Sequence, residues 1–343
     1  MKQVRDLTDP AAGPHAMQLL VDKLCGIWPV PVIRDPGSVV VPVADNYDAL
    51  RYPADAVTRE RRYSHYLGGG MMLRSHTTAR IPALLRELRG ESVLAVPGVC
   101  YRRDVIDRHH VGEPHQMDLW WIRPDGPEMT EDDLEAMVAR VVRTLLPGRE
   151  WHTSPNTHPY TLAGREIYAD GVEIGECGLA HPEVLGRHRS GLAMGLGLDR
   201  LLMLVKEIPD IRLLRSQDPR VAAQMLDLSP YQPVSAQPPI RRDMSLAVAA
   251  GLDAELLGDR VRGLLGAGAE AVEAIEVLAE TPSEELPPGA IERMGVRKDQ
   301  KNVLLRLVLR HPTRTLTAQE GNALRDRVYA GLHEGAASEW ATT

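Results

Sequence analysis

Residues 190–205, SGLAMGLGLDRLLMLV, constrain this chain more than any other stretch. Small residues alternate with Leu and Met as far as Gly197, which is the period of a strand. Beyond it, apolar residues recur as in a helix. A glycine-lined strand that feeds a helix lets backbone and side chain come close to a flat ligand. The Asp199–Arg200 pair interrupts an otherwise apolar run. Taken alone it reads as a surface or helix-packing ion pair, and only companions elsewhere in the chain give it another meaning.

At 343 residues the chain has room for two domains, or for one large core with an appendage. Its formal net charge of -7 argues against indiscriminate nucleic-acid binding. Cys25, Cys100 and Cys177 lie far apart and lack metal-ligand spacing, which favours a reduced cytosolic protein. No run of 18 apolar residues and no leader-like N-terminal core are visible, so the expectation is a soluble cytoplasmic chain without membrane contact. There is no phenylalanine at all. Leu and Met pack well in its place, and nine Tyr and five Trp carry the aromatic work.

Along the chain, helices are expected near 15–25, over the basic stretch 57–66, and through 130–146. The last has Thr130 as its cap and acids in its first turn. Residues 71–88 read as a strand passing into a helix capped by Thr77 or Thr78. Strands are expected at 92–104, 114–123 and 165–180. The Pro- and Ser-rich stretch 229–239 is the best linker, which divides the chain into 1–232 and 233–343. Beyond it the order strand, helix, strand, strand, helix and a short last strand is the βαββαβ ferredoxin-like pattern. The expected class is α+β: an antiparallel sheet with flanking helices, plus this smaller domain.

Three segments set Arg, His and carboxylates at strand ends: RSHTT (74–78), YRRDVIDRHHVGEPHQMD (101–118) and the Asp199–Arg200 stretch. Arginines there suit polyphosphate, because guanidinium stays charged and binds oxyanions in a bidentate way. Gln116 and Asp118 alternate, so they share one strand face. His109, His110, His115, Cys100 and Cys177 match no zinc spacing.

Together, DNYDALRYP, LLRSHTT, VPGVCYRRD, PHQMD, VEIGECGLAHPEVL and SGLAMGLGLDRLLML resemble the phenylalanyl-tRNA synthetase alpha chain, a class II aminoacyl-tRNA synthetase, over roughly residues 40–225. RRDMSLAV and TRTLTAQEGNALRDRVY resemble the ferredoxin-fold anticodon-binding domain of that family's beta chain. The fused order is similar to single-chain organellar enzymes and to a bacterial group of PheS-related mystery ligases. The resemblance implies an adenylate-forming ligase that uses ATP and Mg²⁺. It implies that Arg102 holds the α-phosphate, Asp104 approaches adenine, His110 lies near the outer phosphates, and Arg200 covers adenine and reaches the γ-phosphate. It further implies Glu173 as a magnesium partner, and His76, Thr78, Gln116 and Asp118 around the amino acid's ammonium and carboxylate. Ala193 corresponds to the small residue of the pocket floor.

The departures from the family pattern are as informative. Pro114 stands where an adenine-stacking phenylalanine is usual. His158 and Tyr160 replace two rings that grip a phenyl side chain, and Glu176 replaces a glycine. A polar or basic amino acid suits that pocket better than phenylalanine. From residue 235 onward there are 13 Lys and Arg against 16 Asp and Glu, whereas an RNA-gripping domain usually shows a basic stripe. Three readings stand: a ligase that passes its amino acid to a small molecule, carrier or protein amine; a single-chain phenylalanine–tRNA ligase; and a non-catalytic binder of amino acid or tRNA. Arg102, His110 and Arg200 count against the pure binder, which has no need of a full ATP grip. Monomer and homodimer are both open.

Overall fold

The computed structural model describes residues 4–338 except 104, 106, 187 and 235–237. The chain divides into two compact units. The first comprises residues up to Arg102, Glu113–Ile208 and Ala223–Tyr231; the second comprises Arg103–Gly112, Pro209–Ala222 and the chain from Gln232 onward. The expected cut at 232/233 falls beside the boundary between Tyr231 and Gln232, while two inner segments also join the second unit.

The first unit carries β1 (Val32–Arg34), β2 (Val40–Pro42), β3 (Tyr66–Gly68), β4 (Met71–Leu73), β5 (Ser92–Val99), β6 (His115–Arg123), β7 (Trp151–Pro155), β8 (Thr161–Ala169), β9 (Val172–Ala180) and β10 (Ser190–Gly197). Seven of them form one sheet in the order β1-β5-β6-β10-β9-β8-β7, antiparallel except for the parallel β1–β5 edge. β2, β4 and β3 make a small second sheet. β10 leads without a break into the helix Leu198–Lys206, as its sequence pattern requires. The stretch expected as strands over 165–180 is the hairpin of β8 and β9, turned by Asp170 and Gly171, both at positive φ.

The helix Glu131–Leu145 forms as its sequence dictates. Thr130 and Asp133 close a capping box, and Leu134, Met137, Val138, Val141, Val142 and Leu145 form its buried stripe. Such a cap stabilises a helix by about 1 kcal/mol.

Two local expectations fail. Residues 57–66 make the 3-10 turn Val57–Arg59 and reach β3 at Tyr66 without a helix, and the arginines sit over tyrosine rings: Arg59 over Tyr47, Arg61 over Tyr66, Arg62 over Tyr63. Neither Thr77 nor Thr78 is a helix cap. His76 holds the cap position of the 3-10 turn Thr77–Arg80, which runs on into the helix Ile81–Glu87, and both threonine hydroxyls turn to Asp118 instead. A buried carboxylate is the stronger acceptor.

The second unit contains β11 (Ile240–Ala249), β12 (Val272–Pro282) and β13 (Gln300–Leu309) in the order β11-β13-β12, antiparallel throughout. The helices Ala254–Leu265 and Ala318–Leu332 pack on it through Leu257, Val261, Val328 and Leu332 against Leu246, Val303 and Leu305. The expected βαββαβ order differs at two points. A short helix, Pro288–Met294, intervenes before β13, and no last strand follows among the described residues. Instead, His333 Nδ1 accepts from Ala247 N at 3.1 Å and Glu334 N donates to Ala247 O at 2.8 Å. That clasp meets the free edge of β11 where a further strand would pair.

Candidate active site

The register of the large sheet assembles the site. β6 begins where β5 and β10 end, with Val99 opposite His115 and Gly197 opposite Gln116. Arg102, three residues past Val99, and Arg200, three past Gly197, therefore lie beyond the same end of the sheet. Glu173 sits at the start of β9, at that end too. Arg200 donates to Glu173 Oε2 at 2.7 Å and to the Glu173 carbonyl at 3.0 Å.

The Asp199–Arg200 pair is thus not an ion pair with itself. Asp199 turns the other way and is almost wholly buried. It accepts from His115 N at 2.5 Å and lies 3.2 Å from His115 Nδ1. His115 Nε2 accepts from Leu7 N at 2.9 Å, so the ring proton belongs on Nδ1. Asp199 anchors the β6 entrance, which leaves Arg200 as the member that faces outward from the strand ends.

Two residues deeper, one row crosses three strands: Asp118 on β6, Gly195 on β10 and Glu176 on β9. Adjacent strands lie about 4.8 Å apart, so the two carboxylate-bearing positions are about 10 Å apart with a bare glycine between them. A further row holds Trp120, Ala193 and Gly178. Glycine is needed at position 175, where a side chain would run into the Gly195 carbonyl at 2.1 Å.

Asp118 is 2% exposed. Its Oδ2 accepts from Thr77 Oγ1 at 2.6 Å and Thr78 Oγ1 at 3.1 Å, and its Oδ1 from Trp120 Nε1 at 3.0 Å. Burial pushes its carboxyl up to about 6, against the pull of these donors. Glu176 has a more open side chain, 39% exposed. Tyr160 donates to its Oε1, and His158 Nε2 lies 3.0 Å from its Oε2. Burial works to raise the Glu176 carboxyl, but His158 and Tyr160 outweigh it and hold it below the usual carboxylate range. His158 is raised in turn by Glu176, in spite of its own burial. Burial first, and then the charge of Glu176, drives the Tyr160 hydroxyl well above the ordinary tyrosine value.

Aromatic rings wall the row. Tyr160 stacks on His158 and on Trp120 with centroids 5.9 Å away in each case, and Tyr52 stacks on His76 at 5.6 Å. Both His76 ring nitrogens are shut off from water, and neither makes a hydrogen bond of good geometry, although the Asn46 backbone acts on the ring. Burial lowers His76 to about 4, with Glu176 opposing and Arg102 assisting. Arg102 thus lies within electrostatic reach of this pocket.

Of the residues singled out in the sequence, His76, Thr78, Gln116, Asp118, His158, Tyr160, Glu176 and Ala193 gather on this sheet, with Arg102, Arg200 and Glu173 at its end. Gln116 accepts a weak bond from Cys100 Sγ at 3.5 Å. His110 belongs to the second unit, where its Nδ1 lies 2.7 Å from both Asp107 carboxylate oxygens. Asp104 lies outside the described residues. Sequence reasoning passed over three participants. Thr77 is adjacent to Thr78, Trp120 continues the Gln116–Asp118 alternation, and Tyr52 stands in the DNYDALRYP motif without an assigned role.

Glu173 offers one carboxylate, and no group of three His, Cys, Asp or Glu side chains is placed to hold a metal among the described residues. A single carboxylate suits Mg²⁺ carried largely by a substrate's phosphates.

A glycine-rich strand running into a helix, arginines beyond one sheet end and a carboxylate pocket behind them define a synthetase-type core. The family model described as tRNA synthetases class II core domain (F) matches residues 33–225, and the chain belongs to that family. It is 30% identical over 314 residues to the chloroplastic/mitochondrial phenylalanine–tRNA ligase of Arabidopsis thaliana, covering 85% of this chain and 68% of that one. It is 28% identical over 246 residues to the phenylalanine–tRNA ligase alpha subunit of Deinococcus radiodurans, covering 63% and 70%. A pyrrolysyl tRNA synthetase structure from Desulfitobacterium hafniense superposes with a TM-score of 0.48 at 17% identity, covering 59% of this chain and 73% of that chain. No helix is long and apolar enough to cross a membrane among the described residues.

Proposed function

We propose that the protein is an ATP-dependent ligase of the cytoplasm that activates an amino acid as its adenylate and passes it to an acceptor other than tRNA. One observation carries the reading: Arg102 and Arg200 lie beyond the same end of the sheet, with the Asp118–Gly195–Glu176 row just behind them. A substrate seated over Gly195 has its carboxylate toward the arginines and its side chain toward Glu176.

In the first step a substrate carboxylate oxygen forms a bond to the α-phosphorus of ATP, and the bond from that phosphorus to the bridging oxygen breaks. Pyrophosphate leaves and no proton moves. In-line placement of two bound reactants supplies much of the acceleration, so the site needs no nucleophilic side chain. Arg102 is assigned to the α-phosphate, where negative charge concentrates in the transition state, and Arg200 to adenine and the outer phosphates. Glu173, which holds the Arg200 guanidinium, is assigned to Mg²⁺, and the ion would neutralise phosphate charge. Asp104 and His110 are named for ATP by the family resemblance alone. Asp118, held by Thr77, Thr78 and Trp120, is assigned to the α-ammonium together with Gln116 and His76. In the second step the acceptor's amine or hydroxyl attacks the acyl carbonyl, AMP leaves, and the acceptor's proton passes to solvent.

The second unit, proposed as a relative of anticodon-binding domains, is acidic in its 235–343 portion, which favours an acceptor without a polyanionic backbone. The long match to the Arabidopsis thaliana enzyme supports a second reading, a single-chain phenylalanine–tRNA ligase.

The test is ATP–pyrophosphate exchange against all amino acids, repeated with bulk tRNA to detect charging. Arg200→Ala is expected to lower exchange at least about 100-fold, the scale of losing a transition-state charge contact. Its circular dichroism should stay unchanged, because Arg200 is not one of the buried residues of the helix Leu198–Lys206. Exchange at the parental rate would remove Arg200 from the ATP site, and Phe-tRNA formation would install the second reading.

A further inference from the structure

Resting on the ligase reading above, we propose that Glu176 selects the substrate's side chain, and that the substrate is a basic amino acid whose distal nitrogen sits on Glu176 while its α-ammonium sits near Asp118. The row supplies the geometry. Asp118 and Glu176 face the same side of three adjacent strands, and Gly195 between them contributes no side chain. A side chain at 195 would come within 3.5 Å of Glu176 Cγ and fill the gap, so the absence of one keeps the passage between the carboxylates open.

Glu176 makes the buried Asp118 less comfortable. The charge of Glu176 adds to the burial that raises Asp118. A ligand with a cationic nitrogen at each end relieves that repulsion, whereas a phenyl ring does not touch it and would strip water from Glu176 without replacing its hydrogen bonds. His76 is a second, independent sign of a ligand. Its ring nitrogens are sealed from water and lack well-formed hydrogen bonds, and the ring is stacked on Tyr52 within electrostatic reach of Glu176. Buried polar atoms left in that condition are uncommon unless something else binds there.

The Tyr160 hydroxyl and His158 fix the orientation of the Glu176 carboxylate without closing it off, since the side chain keeps 39% of its surface exposed. His158 does not block a cationic guest. Its affinity for a proton is raised by Glu176, so a nitrogen arriving on that carboxylate leaves His158 free to stand as a neutral ring. The competing description is a polar cluster that merely plugs the pocket and reads nothing.

The full-length protein is tested with lysine, ornithine, 2,4-diaminobutyrate, arginine and histidine beside norleucine, methionine and phenylalanine, by calorimetric binding and by pyrophosphate exchange. At least one basic amino acid is expected to bind, and to exceed norleucine about 10- to 100-fold, the scale of a hydrogen bond to a charged group. Glu176→Gln, which keeps the acceptor for Tyr160, should erase that preference, and Glu176→Gly should move it toward uncharged side chains. Preference for phenylalanine or norleucine in the parent overturns the inference and leaves the ligase reading intact. So does an undiminished basic preference in Glu176→Gln, the result expected of a mere plug. Basic amino acids that bind through Glu176 without any exchange overturn the ligase reading alone. Absence of both binding and exchange with every basic amino acid overturns the inference.

Discussion

Asp118 and Glu176 flank the same glycine, yet the fold holds them in opposite ways. Asp118 is dry and meets neutral donors, two threonine hydroxyls and an indole N–H. Those donors do not offset burial, and its carboxyl titrates at about 6. Glu176 is more open and meets a histidine that its own charge helps to protonate, so it stays ionised below the usual range. One carboxylate is destabilised by the fold around it and the other is satisfied within it. A site can use both: the first gains most from an arriving ammonium, and the second offers a fixed charge against which side chains are compared.

Stability against pH gives the largest expected contrast. Asp118 has a folded-state value near 6 against an ordinary 3.8, so it is raised. Its favourable contribution is complete below about pH 4 and is lost as pH rises through about 6, a swing of about 3 kcal/mol. Asp118→Asn removes that swing. Urea unfolding of parent and variant at pH 4 and pH 7 should show the variant gaining about 3 kcal/mol relative to the parent at the higher pH. Glu176 has the reverse sign: its lowered value means stability present above its ordinary range and lost as pH falls. A parent-to-variant difference independent of pH would show that the fold does not raise the Asp118 carboxyl and end the contrast.

Tyr160→Phe sharpens the other flank. It keeps the ring that stacks on Trp120 and His158 but removes the hydroxyl that donates to Glu176 Oε1. A loss of about 1 to 2 kcal/mol in urea unfolding at pH 7 is expected, the scale of one hydrogen bond to a charged group. The apparent pKa of His158, followed by NMR, should change little, because its partner oxygen is Oε2. An unchanged stability would mean that solvent replaces the hydroxyl and that Glu176 is wetter than its surroundings imply.

How far the sequence reveals this site depends on the distance over which each residue's role is decided. The Ser190–Gly197 strand, the helix after it and the Thr130 capping box follow from neighbours within one or two turns, and all are present. The class II core was legible because several motifs fall in order, and the family model covers the same stretch. Thr77 was misread as a cap because its true partner, Asp118, is 41 residues away. Tyr52 gave no signal of its own, since its partner His76 comes from another element. Trp120 was within reach of the two-residue period that paired Gln116 with Asp118. The edge of β11 went unread because a histidine side chain and one amide, rather than a strand, meet it at Ala247.

The smallest effect separates the two threonines that support Asp118. Thr77 Oγ1 lies 2.6 Å from Oδ2 and Thr78 Oγ1 3.1 Å from the same oxygen. Both donate to the ionised form, so removing either should raise the Asp118 value further and weaken the folded state at pH 7. Short, well-formed bonds to a carboxylate are the stronger ones, which predicts a larger effect for Thr77→Val than for Thr78→Val. We expect about 1 kcal/mol between the two variants in urea at pH 7, and a difference that vanishes below about pH 4, where the carboxyl is protonated in both. If Thr78→Val is instead the more damaging, the bond that holds Asp118 in its dry position is the longer one, and the threonine aligned with the family's ammonium cradle would be the principal support of the carboxylate.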